Sequence, residues 1–167
     1  MGDRVETLAD LLRPALRVVC VGINPSIVSV EAGHYYQGTL GQRFFGRLRY
    51  VGLLDDRHAG FEDDAAFASG VGFTDIVKRP TAKAAALSPA EFEHGQNLFE
   101  AKLEAHRPEL VIFTFKKAAE SLFGSFSGNG FVPGLRLAHS EVFVMPAPYE
   151  SNATVYPTLD ILAERLA

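Results

Sequence analysis

Apolar residues gather in three short runs along this chain, and each run stops abruptly at turn-forming or charged residues. Val18-Val19-Cys20-Val21 ends in Gly22-Ile23-Asn24-Pro25, Leu110-Val111-Ile112-Phe113-Thr114-Phe115 ends at Lys116, and Val142-Phe143-Val144-Met145 ends in Pro146-Ala147-Pro148. Short runs of this kind, without polar alternation, read as strands buried on both faces, as in a parallel sheet. Between them the period becomes helical. Phe44, Phe45, Leu48, Val51 and Leu54 recur at helix spacing over residues 42–54, with Gly52 weakening the end. Ser88-Pro89-Ala90-Glu91 opens another helix with a cap residue, a proline at the first helical position and an acid in the first turn; Phe92, Leu98, Phe99 and Leu103 carry its apolar stripe to His106. Further helices are predicted over residues 5–12, 61–69, 116–123 and 154–166, and a short strand over 72–77. Residues 25–41 show no period and read as a long loop, a feature that is usually functional in a compact domain. Residues 125–140 read as a loop with room for an irregular strand.

Strands alternating with helices predict an α/β fold: one domain over residues 1–167, a three-layer α/β/α sandwich around a mostly parallel sheet. The loops after Gly22, Phe115 and Met145 then converge at the carboxyl ends of the strands, where open α/β sheets bind ligands.

Composition narrows this only a little. With 167 residues and 47% hydrophobic content, the chain can bury a full core. No apolar run approaches the length of a membrane span, and the first residues lack a basic region followed by an apolar one; the expectation is a cytoplasmic monomer. Cys20 lies inside the first strand and reads as core packing. A net charge of −4 argues against coating nucleic acid by charge alone. Local basic faces remain available in Arg43, Arg47 and Arg49, in Lys78 and Arg79, and in Lys116 and Lys117. The histidines are scattered without ligand spacing, and no phosphate-binding or dinucleotide fingerprint occurs, so neither metal nor cofactor is expected.

The chemistry centres on Asn24 at the end of the first run, with Tyr36 twelve residues later. An amide offers donors and an acceptor; it can hold a water through its carbonyl oxygen while its nitrogen meets a substrate. A tyrosine nearby can stack on a planar ring. By residue type alone, Asn24 fits an ordinary Asn-Pro turn equally well, and Tyr35 and Tyr36 fit loop packing.

The ordered segments Gly22-Ile23-Asn24-Pro25, Gly33-His34-Tyr35-Tyr36, Gln42-Arg43-Phe44, Gly72 to Thr81, Ile112 to Lys116 and Met145-Pro146 resemble the mismatch-specific uracil/thymine DNA glycosylases of the uracil-DNA glycosylase superfamily. The resemblance spans nearly the whole chain. It implies a uracil-DNA glycosylase-like fold and a monofunctional enzyme that flips a base out of DNA and hydrolyses its N-glycosidic bond. The base would be uracil, best in G·U mispairs or single strands, with thymine, hypoxanthine or etheno-cytosine as further candidates. Asn24 matches the residue that positions the attacking water. Gly22, Ile23, Ser29 and Gly33 match the base pocket, Tyr36 the stacking aromatic, and Lys116 a lysine near the DNA phosphates.

Three departures stand out. Ser26 replaces a glycine and should alter the pocket turn. Asp75 stands where relatives often carry Asn or Lys; facing the pocket it would activate water better than an amide, and facing outward it would be a plain strand-end residue. Residues 146–153 lack the intercalating Leu or Arg. Within that segment Tyr149 is the only bulky candidate wedge, Ser151 is a further candidate DNA contact, and Glu150 is expected to face the phosphates. Two other readings stay open: a non-catalytic nucleic-acid-binding module of the same fold, and an enzyme on free nucleosides.

Overall fold

The computed structural model describes residues 3–125 and 127–167. Its centre is a five-stranded sheet built from β1 (Val18–Gly22), β2 (Val71–Asp75), β3 (Leu110–Phe113), β4 (Gly130–Leu137) and β5 (Ser140–Val144), in the order β2-β1-β3-β5-β4. The first four in that order run parallel, and β4 is an antiparallel edge with a register shift between Phe131 and Arg136. Pro133 lies inside that shift, consistent with the tolerance of edge strands for proline.

Six α-helices and a 3-10 turn at Ala84–Ala86 complete the described structure: α1 (Ile27–Ala32), α2 (Thr39–Tyr50), α3 (Glu62–Ala68), α4 (Pro89–His106), α5 (Lys116–Phe123) and α6 (Asn152–Leu166). Side-chain alternation along the strands assigns them to two cores. Val18, Cys20, Phe73, Ile112 and Phe143 pack with Phe44, Phe45 and Leu48 of α2 and Val155, Leu159 and Leu162 of α6. Val19, Val21, Val111, Phe113 and Val142 face the other way, onto Phe99 and Leu103 of α4 and Ala118 and Ala119 of α5. The architecture is the expected α/β/α sandwich. Burial on the first of these faces pushes the Cys20 thiol pKa up, which suits a packing role.

Two local expectations fail. Residues 5–12 are not a helix; they form no regular element apart from an isolated bridge at Leu11, which exchanges backbone hydrogen bonds with Phe73 (2.9 and 3.0 Å). A segment too short for a stable helix gains more by pairing with the open edge of β2. It is fastened there by Asp10, whose carboxylate meets Lys78 Nζ at 2.8 Å and Lys102 Nζ at 2.6 Å. Residues 25–41 are not one loop, because α1 interrupts them and α2 already begins at Thr39, ending at Tyr50 rather than at residue 54. Ser26 caps α1 by accepting from Ser29 N, and Gly33 closes it in the left-handed conformation (φ 73°). The serine that departs from the family pattern therefore starts a helix.

The long helix begins as predicted, with a capping box in which Ser88 accepts from Glu91 N and Glu91 accepts from Ser88 N. No helix among the described residues is long and apolar enough to cross a membrane.

Candidate active site

Gly22 ends β1 directly opposite Asp75 at the end of β2, and this pairing creates the site. A Cβ on Gly22 would lie 2.4 Å from Asp75 Oδ1 and 3.6 Å from the Tyr36 ring, so only glycine leaves the carboxyl its place. The next residues of both strands continue side by side: Ile76 N donates to Gly22 O (3.0 Å), Val77 N to Ile23 O (2.8 Å) and Thr81 N to Pro25 O (3.2 Å). Residues 22–26 and 75–81 thus form one ledge beyond the sheet.

Asn24 is fixed on that ledge. Its Nδ2 donates to Arg79 O and to Thr81 Oγ1, both at 2.8 Å. A backbone carbonyl only accepts, so the nitrogen end of the amide must face it. Thr81 is held in turn by donating to Lys83 O (2.9 Å). Both amide hydrogens are spent on the protein, and Oδ1 is the end left to act. The amide therefore offers an acceptor alone, instead of the expected pairing of a water acceptor with a substrate donor.

Asp75 is 2% exposed, and its Oδ2 has no hydrogen-bond partner among the described residues. Burial pushes its pKa up from 3.8 to about 7, with Lys78 and Lys102 pulling the other way and Asp10 adding to the rise. Tyr36 stands beside it in the left-handed region (φ 56°), which costs a side-chain-bearing residue on the order of 1 kcal/mol. Its ring is edge-on to Phe44 and Phe73, and its hydroxyl is also buried without a partner. Gly41 makes this possible, since a Cβ there would fall 2.2 Å from Tyr36 O. The Tyr36 hydroxyl pKa is raised by burial and, secondarily, by Asp75.

These groups line one cleft of about 760 Å³. Gly22, Ile23, Asn24, Ser29, Tyr36, Asp75, Lys116 and Tyr149 all reach it, as do Phe44, Phe115, Ala147 and Pro148. The three loops after β1, β3 and β5 do converge. Gly33 and Ser151 do not line the cleft: Gly33 is the C-cap of α1, and Ser151 is the N-cap of α6, accepting from Thr154 N. Ser29 is 3% exposed and accepts from Gln37 N (3.2 Å), which ties the chain after α1 back to that helix.

Lys116 and Lys117 occupy the first turn of α5 at the cleft rim, and Lys116 lies 3.5 Å from Glu120. Cations at a helix N-terminus oppose the helix dipole; the two lysines make this rim basic on balance, with Glu120 lining it as well. Tyr149 is 77% exposed. Glu150 does not face outward as expected. Its Oε1 accepts from Ala147 N (3.0 Å), because closing the turn satisfies an amide that would otherwise be stranded.

The fold also brings together His34, Asp63 and Asp64, which their sequence separation concealed. Asp63 is buried and already accepts from Tyr35 N (2.8 Å), from Asp64 N (2.9 Å) and at His34 Nδ1 (2.9 Å). With His34 stacked on Phe61 (centroids 3.5 Å apart), this group clamps the segment carrying Tyr36 onto α3.

A deep, largely apolar cleft at the strand ends, with a fixed amide acceptor, a buried carboxyl and a cationic rim, suits a flat ring carried on an anionic polymer. The chain belongs to the uracil DNA glycosylase superfamily, whose family model matches residues 9–164. Membership supports a glycosylase-type function with DNA as the partner, and the sheet flanked by helices is consistent with that family's fold.

Proposed function

We propose that this protein is a monofunctional DNA glycosylase of the mismatch-specific kind, hydrolysing the N-glycosidic bond of uracil in G·U mispairs or single strands. The observation that carries the reading is the Asn24 amide, whose nitrogen is tied down so that its acceptor end is available in a cleft shared with Asp75. In this scheme the flipped base enters the cleft that Tyr36, Gly22 and Ile23 line together. A water accepted at Asn24 Oδ1 attacks the sugar C1′, the C1′–N1 bond breaks, and its electron pair leaves with the base. The water's proton passes to ionised Asp75, leaving a free abasic sugar.

Placement does much of the work, because an amide is a poor base. Asp75 supplies the base that Asn24 lacks, and a pKa of about 7 matches that task near neutrality. Lys116 and Lys117 meet phosphates at the rim, and Tyr149 projects toward the space vacated by the flipped base. The apolar walls from Phe44 and Phe115 suit bulkier bases as secondary substrates, namely thymine with its added methyl group and the two-ring hypoxanthine and etheno-cytosine.

The test is base release from oligonucleotides carrying each base, single-stranded and opposite each partner, followed by alkali to reveal abasic sites. Cleavage of the uracil strands, strongest opposite guanine or in single strands, is expected. Release of no base from any oligonucleotide would refute the reading. Efficient hydrolysis of deoxyuridine with no activity on DNA would replace it by a nucleoside hydrolase.

A further inference from the structure

The buried cation of α2 has no part in the scheme above. Arg47 is 2% exposed and forms no salt bridge among the described residues, the Glu150 carboxylate being the acid that favours its charge. It donates instead to three backbone carbonyls of a single turn: Pro146 O, Ala147 O (3.0 Å) and Glu150 O (3.1 Å). One helical turn earlier, Arg43 donates to Pro148 O (3.2 Å). The turn closes on itself through Glu150 N to Ala147 O (3.1 Å) and Ala147 N to Glu150 Oε1 (3.0 Å). Every carbonyl from 146 to 148 is thereby engaged, and the residue at the tip is Tyr149, 77% exposed.

A buried guanidinium is an expensive way to fill a core position. Replacing buried charge by apolar side chains is often neutral or stabilising. What the guanidinium supplies that a leucine cannot is a rigid fork of donors that fixes the shape of a strand-to-helix turn. Arg47 comes from α2, the helix that also packs Phe44 against Tyr36, so the same element sets both the pocket wall and the turn.

We propose that Arg47 is a positioning residue for duplex opening: it holds the 146–150 turn preorganised so that Tyr149 meets the base stack without first paying to order its loop. The proposal rests on the reading that Tyr149 enters the duplex. Single strands have no stack to hold open, so the ratio of duplex to single-strand excision reports the wedge specifically, whereas a general loss of structure lowers both rates together.

The experiment compares wild type, Arg47→Met, Glu150→Ala, Glu150→Gln and Tyr149→Ala in single-turnover excision from G·U duplex and from the same uracil strand alone. Amide hydrogen exchange across residues 146–151 is measured on the free proteins. In Arg47→Met the duplex-to-single-strand ratio is expected to fall about tenfold, the scale set by ordering one or two side chains or a short loop on binding. Exchange should quicken within 146–151. Glu150→Ala should move both readouts the same way and Glu150→Gln, which keeps the acceptor for Ala147 N, should restore them. Adding Arg47→Met to Tyr149→Ala should lower the ratio no further.

An unchanged ratio, an additive double mutant, or unchanged exchange at 146–151 would overturn the proposal. Should Arg47→Met fail to fold, the Glu150 pair decides by the same criteria. If the wild type excises nothing, the glycosylase reading fails, and the exchange arm alone still decides whether Arg47 holds the turn.

Discussion

Thr81 should matter to catalysis although it touches no reacting atom. Its Oγ1 accepts one of the two Asn24 amide hydrogens and donates onward to Lys83 O. In Thr81→Val the amide keeps only Arg79 O, and a half-buried N–H loses its partner. A net hydrogen bond is worth about 1 kcal/mol, and an unsatisfied donor costs about 1–3 kcal/mol. Some of this is recovered as the amide tilts or rotates, which displaces Oδ1 and the water it holds. The expected result is a loss of about 1–2 kcal/mol of transition-state stabilisation, or roughly a 5- to 30-fold slower single-turnover rate. DNA binding should change little, since the Thr81 side chain is buried within the ledge and does not line the cleft. Lys83 is exposed, so its carbonyl can turn to water and the fold should lose little. Thr81→Ser retains the hydroxyl and should recover most of the rate. The assay is single-turnover uracil release with urea unfolding run alongside. A folded Thr81→Val protein with the wild-type rate would refute the reasoning, as would a Thr81→Ser variant equally slow.

Asp75 couples rate and stability in opposite directions. Its pKa rises from 3.8 to about 7 on folding, so the folded state binds the proton more tightly than the unfolded chain. That stabilisation is complete below about 4 and is lost as pH climbs through 7, up to about 4 kcal/mol at roughly 1.4 kcal/mol per unit. Asp75→Asn should therefore gain thermal stability over wild type by more at pH 8 than at pH 5, and an equal difference at both would contradict the burial argument. The excision rate of wild type should rise with pH through about 7, and the Asn variant should lose that limb along with most of its activity; an identical pH profile would reduce Asp75 to a structural residue. Gly22→Ala places a Cβ against Asp75 Oδ1 and should cost about 1–3 kcal/mol in unfolding free energy together with nearly all excision. Wild-type stability and activity in that variant would show that the carboxyl has room to move.

Local chemistry was readable wherever it decided local structure. The Ser88 cap, Pro89 and Glu91 marked the start of α4, and Gly124 marked the end of α5, because these signals act within a turn of the helix they bound. The buried strands announced themselves as unbroken apolar runs. Helix α1 escaped because its six residues include exposed Ile27 and Val28 and show no apolar stripe. Its only signals were Ser26 before it and Gly33 after it. The segment 5–12 misled because its pairing partner is Phe73, far along the chain. Contacts of that range also conceal the parts of the site that hold others in place. Thr81 lies 57 residues from Asn24, and Arg47 lies 99 from Pro146. Asn24, Tyr36 and Asp75 could be singled out by kind and order, but nothing local encodes which end of the Asn24 amide is free or which way Glu150 turns.

The most direct measurement is single-turnover release of uracil from a G·U duplex by wild type and by Asn24→Ala. Binding to the same duplex carrying a hydrolysis-resistant 2′-fluorinated uridine is measured alongside. If Asn24 holds the attacking water, the alanine variant should lose about a hundredfold or more in rate, within the range of a lost positioning group, while binding stays within a few-fold of wild type. An Asn24→Ala protein that releases uracil at the wild-type rate would contradict the account at its centre.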